Sequence, residues 1–180
     1  MKTIVLNPGH GGPDPGCIGY SGSREANVAH AISHRAGALL ENYFRVLNTR
    51  DLGAVELEDV VQLANEEKAD IFVSIHCNAA LTSYAFGLEV YYFKDSMKGL
   101  RLANTIYDSL INANVTSGYS IRGRGLNATY GLYVLRETAM PACLVECGFL
   151  TNPEEEKWLT SPLGQITIGF GIARGIMKYF

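Results

Sequence analysis

Two histidines and one glutamate lie where predicted β-strands end. His10 follows the apolar strand predicted at residues 2–7, His76 ends the strand predicted at 71–76, and Glu146 ends the strand predicted at 142–146. Ligands of open α/β sheets bind beyond the carboxyl ends of the strands, so these side chains are expected at one edge of the sheet. A single histidine at a strand end is usually structural, but three such groups together favour a functional site.

Glu25 is the fourth candidate for this site. It stands in the first turn of the first long predicted helix, after a glycine-rich loop at residues 9–23 that contains His10. An acidic residue at this position could serve only to complement the helix dipole. Beside His10 and His76, however, the carboxylate completes a set of two imidazoles and one glutamate. That set is found in catalytic zinc sites, where the fourth position is left to water.

His30 and His34 form a rival pair of metal ligands, with the i, i+4 spacing of a helical HExxH zinc motif. Residue 31 is alanine, so the general-base glutamate of that motif is absent. His30 lies about 140° around the predicted helix from Glu25, and His34 lies about 13.5 Å from Glu25 along the helix axis. Neither can easily share a metal with Glu25, and we interpret both as ordinary helix histidines.

These residues are carried by alternating strands and helices. Hydrophobic spacing predicts strands at residues 2–7, 44–49, 71–76, 87–93, 133–135 and 142–146. It predicts helices at residues 24–43, 56–68 and 96–113 and after residues 152 and 161, with a polar loop at 114–130. The alternation indicates an α/β fold in which a mainly parallel sheet lies between helices.

Composition limits the class of protein. The chain has 180 residues, enough for one domain spanning residues 1–180, and its net charge of −3 gives no basic surface for nucleic acid. No stretch approaches the roughly 20 apolar residues that cross a bilayer, and the N-terminus does not resemble a signal peptide. The four cysteines form no CxxC motif, and we expect them to be free thiols.

Several separated motifs resemble those of one enzyme family. They are residues 7–16 (NPGHGGPDPG) followed by Glu25, then Thr49-Arg50, Ala64-Asn65, residues 69–79 (ADIFVSIHCNA), 87–92 (GLEVYY) and 141–152 (PACLVECGFLTN). In order and spacing they resemble the zinc-dependent N-acetylmuramoyl-L-alanine amidases of the amidase_3 group, which are peptidoglycan hydrolases. The resemblance covers essentially the whole chain.

The resemblance implies a single α/β domain with a twisted sheet of about six strands flanked by helices. It also implies Zn²⁺ held by His10, Glu25 and His76, with Glu146 as the catalytic acid and base. The reaction would be hydrolysis of the amide between the lactyl group of N-acetylmuramic acid and L-alanine. The loop at residues 78–86 is too short for the autoinhibitory helix of some members, so an open groove is expected.

Substrate contacts are expected from four further residues: Asn78, Glu89, Arg122 and Arg124. The two arginines could pair with stem-peptide carboxylates, or they could be solvated loop residues. Glu89 could instead orient a histidine ligand through its other ring nitrogen.

Two other functions stay open, a zinc peptidase that cuts stem-peptide bonds and a non-catalytic wall-binding module. Peptidoglycan is the expected partner under every reading, and it lies outside the bacterial membrane. The absence of an export signal would fit a phage endolysin released by a holin, or the excised catalytic domain of a secreted autolysin.

Overall fold

The computed structural model describes residues 1–53, 55–119 and 122–180. It contains one six-stranded sheet. The strands are β1 (Thr3–Pro8), β2 (Arg45–Asn48), β3 (Ile71–Asn78), β4 (Leu88–Phe93), β5 (Gly123–Thr129) and β6 (Ala142–Phe149). The helices are α1 (Glu25–Leu40), α2 (Leu57–Glu66), α3 (Met97–Thr116), α4 (Tyr133–Glu137), α5 (Pro153–Leu159) and α6 (Pro162–Tyr179). Within these described ranges, no helix is both long enough and apolar enough to cross a bilayer.

The sheet has the strand order β2-β1-β3-β6-β4-β5. Four neighbouring pairs are parallel, and only β4 and β6 run antiparallel. The mainly parallel six-stranded sheet expected from the sequence is therefore confirmed. The parallel strands β1, β3 and β6 occupy adjacent positions in the middle, so their carboxyl ends meet at one edge of the sheet.

Helices cover both faces of the sheet, as the side chains of β1 illustrate. Ile4 and Leu6 join a core cluster that includes residues of α1, α3 and α6. Val5, between them, joins a second cluster with residues of α2 and α4. Because successive strand residues point to opposite faces, the two clusters lie on the two sides of the sheet. The four cysteines are free thiols, as expected.

Two predictions for residues 114–137 were wrong. Residues 123–129, predicted as loop, form the edge strand β5, and residues 133–135, predicted as strand, lie in the short helix α4. Strand β5 pairs only with β4 and has half-exposed residues, so it lacks the apolar alternation that marks a strand. A run as short as Tyr133-Val134-Leu135 cannot distinguish strand from helix by periodicity.

Helices α3 and α6 pack closely because glycines of α6 face α3. A Cβ atom at Gly175 would collide with the backbone of Ile106, and one at Gly171 would come within 3.0 Å of the Leu110 Cα atom. By contrast, a Cβ at Gly37 in α1 would make ordinary contacts of 3.8 Å with Leu6 and Val46. Close approach of backbones thus requires glycine at position 175 but not at position 37.

We expect Gly175→Ala to lower the free energy of unfolding by about 1–3 kcal/mol, because the new methyl group has no space between the helices. Gly37→Ala is the matched control in another helix. It should raise the free energy of unfolding by about 0.5–1 kcal/mol, because alanine removes the entropy cost of helical glycine. Denaturant unfolding measures both values, and the same sign of change in both variants would contradict this packing.

Candidate active site

His10, Glu25 and His76 converge at the carboxyl edge of the sheet. The Glu25 carboxylate bridges the histidines, with Oε2 at 3.2 Å from His10 Nε2 and Oε1 at 3.0 Å from His76 Nδ1. One ligand atom from each of the three residues lies within 4.8 Å of the others. The ring centroids of the histidines are 5.1 Å apart, with the planes 78° from parallel. The arrangement brings together the three residues that the sequence pattern groups as ligands.

The local backbone explains how these side chains meet. Strands β1 and β3 are neighbours, so His10, just beyond β1, lies beside His76 at the end of β3. His10 has φ of 60°, a left-handed conformation that costs a non-glycine residue of order 1–2 kcal/mol. Gly9 leaves space for the His76 ring, because a Cβ atom there would collide with the imidazole.

Asp14 fixes the orientation of His10. Its Oδ2 atom lies 2.7 Å from His10 Nδ1, and its Oδ1 atom accepts a hydrogen bond of 2.9 Å from the Gly16 backbone N–H. A carboxylate on the second ring nitrogen is the usual support of a metal-binding histidine. Asp14 belongs to the sequence motif, yet its role was not predicted, because it depends on how the loop folds.

Glu25 is a buried charge, with only 3% of its surface exposed. The backbone N–H groups of Cys17 and Cys77 donate to its carboxylate at 2.9 and 3.1 Å. Burial opposes ionisation, but the hydrogen bonds from His10 and His76, with that from Cys17, outweigh it and hold the pKa of Glu25 well below its usual range. The carboxylate is therefore ionised and available as a metal ligand.

The pKa of His10 is shifted in the opposite direction, upwards. The hydrogen bond to Glu25 raises the pKa of His10 to about 9, against the opposing effect of burial and with further help from Asp14. Without a metal, His10 is therefore protonated at neutral pH. Metal ions bind the neutral imidazole, so binding at this site would release a proton.

Arg50 holds the loop that carries His10. Its guanidinium donates to the carbonyl oxygens of Gly9 at 2.6 Å, His10 at 2.8 Å and Pro8 at 3.2 Å. A fourth bond of 2.7 Å reaches the carbonyl oxygen of Ala26 in α1. One side chain thus links the carboxyl end of β1 to the first turn of α1. The sequence gives only the Thr-Arg motif after β2, and the clamp depends on tertiary structure.

Glu146 lies beside this cluster on β6. It is in register with His76 on one neighbouring strand and with Glu89 on the other. Its Oε2 atom is shielded from solvent and has no hydrogen-bond partner among the described residues. Burial, together with the charges of Glu25 and Glu89, raises the pKa of Glu146 to about 8, although His10 acts in the opposite direction. The carboxyl group can therefore exchange a proton near neutral pH.

Glu89 organises polar side chains next to Glu146. It accepts hydrogen bonds from Asn78 at 2.8 Å, Asn127 at 3.0 Å and Tyr91 at 3.2 Å. Arg124 Nε lies 3.4 Å from the Glu89 carboxylate. The carboxylate that contacts the second nitrogen of His10 is that of Asp14, so Glu89 is not the group that orients this histidine.

One open groove adjoins the cluster, and a second adjoins Glu89. One, of about 520 Å³, is lined by His10 and His76 and by apolar side chains that include Leu132, Tyr133 and Leu144. The other, of about 490 Å³, is polar, and its lining includes Glu89, Arg122, Arg124, Asn127, Tyr84 and Phe86. Residues 79–87 between β3 and β4 form no helix.

The remaining candidates lie outside this centre. His30 and His34 contact each other and Asp51 rather than Glu25. The prediction that His30 and His34 do not share a metal with Glu25 agrees with these contacts.

The donor set fits zinc. Two imidazoles and one ionised carboxylate form a ligand set that catalytic Zn²⁺ sites use, with a position left for water. The ionised state of Glu25 and the support of His10 by Asp14 meet the requirements of such a site.

Comparisons with known proteins show which family this chain is similar to. The family model Amidase_3, described as N-acetylmuramoyl-L-alanine amidase, matches residues 4–178. The germination-specific N-acetylmuramoyl-L-alanine amidase of Bacillus subtilis is 31% identical over 196 residues, covering 99% of this chain and 80% of that protein. The structure of N-acetylmuramoyl-L-alanine amidase AmiC2 of Nostoc punctiforme superposes with a TM-score of 0.90 at 37% identity, covering 99% of this chain and 96% of that one. The catalytic domain of CwlV, an amidase from Bacillus (Paenibacillus) polymyxa var. colistinus, gives 0.89 at 33% identity, covering 99% and 98%.

We expect Gly9→Ala to weaken Zn²⁺ binding although it alters no ligand atom, because the new methyl group would displace the His76 ring. Gly37→Ala is the control, since a Cβ there makes only ordinary contacts of 3.8 Å. Isothermal titration with Zn²⁺ should show a loss of affinity of at least about tenfold for Gly9→Ala, comparable with losses from disturbed support of metal ligands. Equal affinity in the two variants would contradict the role of Gly9.

Proposed function

The chain belongs to the Amidase_3 family of N-acetylmuramoyl-L-alanine amidases, and from this premise we propose which of its residues carry the hydrolysis of peptidoglycan. His10, Glu25 and His76 hold Zn²⁺, and Glu146 is the catalytic acid and base. The bond cut is the amide between N-acetylmuramic acid and L-alanine. The observation that carries the proposal is the convergence of these three ligands beside Glu146, which is in register with His76 and has a solvent-shielded Oε2 atom without a hydrogen-bond partner among the described residues. We propose further that residues 1–180 act as one catalytic domain.

Amide hydrolysis needs an activated water and a stabilised carbonyl oxygen. A zinc ion supplies Lewis acidity for the carbonyl and lowers the pKa of bound water to about 7. The protein supplies the ligand geometry: Asp14 orients His10, and the N–H groups of Cys17 and Cys77 hold the Glu25 carboxylate. Arg50 keeps the His10 loop in place through four carbonyl oxygens.

Glu146 moves the proton. As the base, its carboxylate accepts a proton from the attacking water, and as the acid it delivers that proton to the departing alanine nitrogen. A pKa raised to about 8 suits both directions of transfer near neutral pH. The charge of Glu89 on the neighbouring strand contributes to this pKa.

The two grooves bind different parts of the substrate. We assign the stem peptide to the polar groove, where Arg122 and Arg124 can pair with its carboxylates. Glu89 connects this groove to Glu146, because it lines the groove and is in register with Glu146 on the neighbouring strand, and Asn78 donates a hydrogen bond of 2.8 Å to it. The glycan then lies in the groove lined by Leu132 and Tyr133, whose apolar surfaces suit the faces of sugar rings.

Product analysis separates amidase from peptidase activity. An amidase exposes the α-amino group of L-alanine and leaves the glycan intact, whereas a peptidase exposes other amino groups of the stem. A non-catalytic wall-binding module would have no use for a proton-transferring carboxyl group beside a metal centre.

The substrate determines where the enzyme acts, because peptidoglycan is the cell wall of bacteria. Release of an endolysin through a holin and secretion as part of an autolysin are the two delivery routes we propose. By either route the enzyme would reach the same amide bond in peptidoglycan.

We expect Glu146→Gln to keep the wild-type zinc content but to lower kcat by about 10²–10⁴-fold, because the proton carrier is lost. His10→Ala and His76→Ala should each lose one equivalent of zinc together with the activity. Glu137→Gln, which alters an exposed glutamate in α4, is the control. Zinc content and release of L-alanine α-amino groups are the measurements, and loss of zinc from Glu146→Gln would make Glu146 a ligand instead.

We expect Glu89→Gln to move the acidic limb of the pH–rate profile towards lower pH. The charge of Glu89 disfavours ionised Glu146 and so raises its pKa. Without that charge the pKa falls, and the base form persists at lower pH. Glu137→Gln again serves as control, and a limb that does not move in Glu89→Gln would mean that another group titrates there.

A further inference from the structure

A second cluster of metal-binding side chains lies outside the active site. His30 and His34 in α1 meet Asp51, which lies in the turn after β2. His30 Nε2 is 3.0 Å from Asp51 Oδ1, and His34 Nε2 is 3.4 Å from Asp51 Oδ2. The two Nε2 atoms are themselves 3.0 Å apart. Three potential ligand atoms therefore point at one small volume.

The helix and the turn both favour this convergence. Residues four apart lie on the same face of an α-helix, so His30 and His34 project side by side. Their ring centroids are 4.4 Å apart, with the planes 71° from parallel. The turn that presents Asp51 is held by backbone bonds from Leu52 N–H to the carbonyl oxygens of Asn48 and Thr49, at 3.3 and 3.2 Å.

Hydrogen bonds between two neutral imidazoles and a carboxylate cannot satisfy all three close contacts of this cluster at once. Each ring nitrogen of a neutral imidazole carries either a proton or a lone pair. If His30 and His34 each donate the Nε2 proton to one oxygen of Asp51, no hydrogen bond can join their two Nε2 atoms, which still lie 3.0 Å apart. A metal ion uses the lone pairs of both nitrogens and the carboxylate together, as in sites with two histidines and one carboxylate.

The cluster is separate from the active site. His30 lies about 140° around α1 from Glu25. The side chains are partly exposed, at 33% for His30, 55% for His34 and 43% for Asp51. Two of them, His34 and Asp51, line a groove of about 320 Å³. Solvent can therefore reach the cluster and complete the coordination of an ion.

We propose that His30, His34 and Asp51 form a second site for Zn²⁺, in addition to the active-site metal. An ion bound there joins α1 to the turn after β2. Asp51 directly follows Arg50, whose guanidinium holds the carbonyl oxygens of the His10 loop. The second ion thus fastens the segment that supports the active site, without contacting substrate.

The test is a Zn²⁺ titration of the metal-stripped full chain, with thermal unfolding followed at each zinc equivalent. The wild type should bind two equivalents. His34→Asn and Asp51→Asn should bind one, with the affinity of the other site unchanged, and should keep amidase activity. Glu41→Gln, which removes an exposed carboxylate from the same groove, is the matched control and should bind two.

The same titration of His10→Ala separates this proposal from the proposed function. It should still bind one equivalent, at the second site, while lacking activity. The second equivalent should raise the Tm of the wild type and of Glu41→Gln, and not that of His34→Asn or Asp51→Asn. A wild type that binds a single equivalent, lost in His10→Ala and kept in His34→Asn, would overturn the second site and leave the active-site assignment standing.

Discussion

The burial of one carboxylate between two imidazoles is the constraint on which this structure depends. A buried charge is costly unless it is paired and hydrogen-bonded. Glu25 meets that condition through His10, His76 and the N–H groups of Cys17 and Cys77. These partners come from the glycine-rich loop and from β3, while Glu25 itself begins α1. The site therefore forms only when all three elements are in place.

Other side chains hold the loop around that carboxylate. Arg50 binds it from the side of β2, through the carbonyl oxygens of Gly9 and His10. Glu156 in α5 binds it from the other side, accepting bonds of 2.7 Å from Ser21 N–H and 2.6 Å from the Ser23 hydroxyl. Such contacts fix the ligand positions before a metal binds, which is how a protein sets coordination geometry.

Strand ends and residue types were enough to predict which side chains meet at this edge, because parallel strands bring their carboxyl ends together. This is why His10, His76 and Glu146 could be grouped from sequence. Features that depend on contacts between distant parts of the chain could not be predicted from the sequence. The clamp of Arg50 is one, and the meeting of His30 and His34 with Asp51 is another, since helical spacing alone favoured ordinary histidines. The polar edge strand β5 and the short helix α4 were mispredicted because neither has enough hydrophobic pattern to identify it.

The central claim is that His10, Glu25 and His76 together hold the catalytic zinc. Anomalous diffraction at the zinc absorption edge, from crystals of the zinc-loaded protein, tests it most directly. The account predicts a peak within about 2.0–2.2 Å of one nitrogen of each histidine and of a Glu25 oxygen. A zinc-loaded, active crystal with no peak at this position, or with a peak there that Glu25 does not contact, would contradict it.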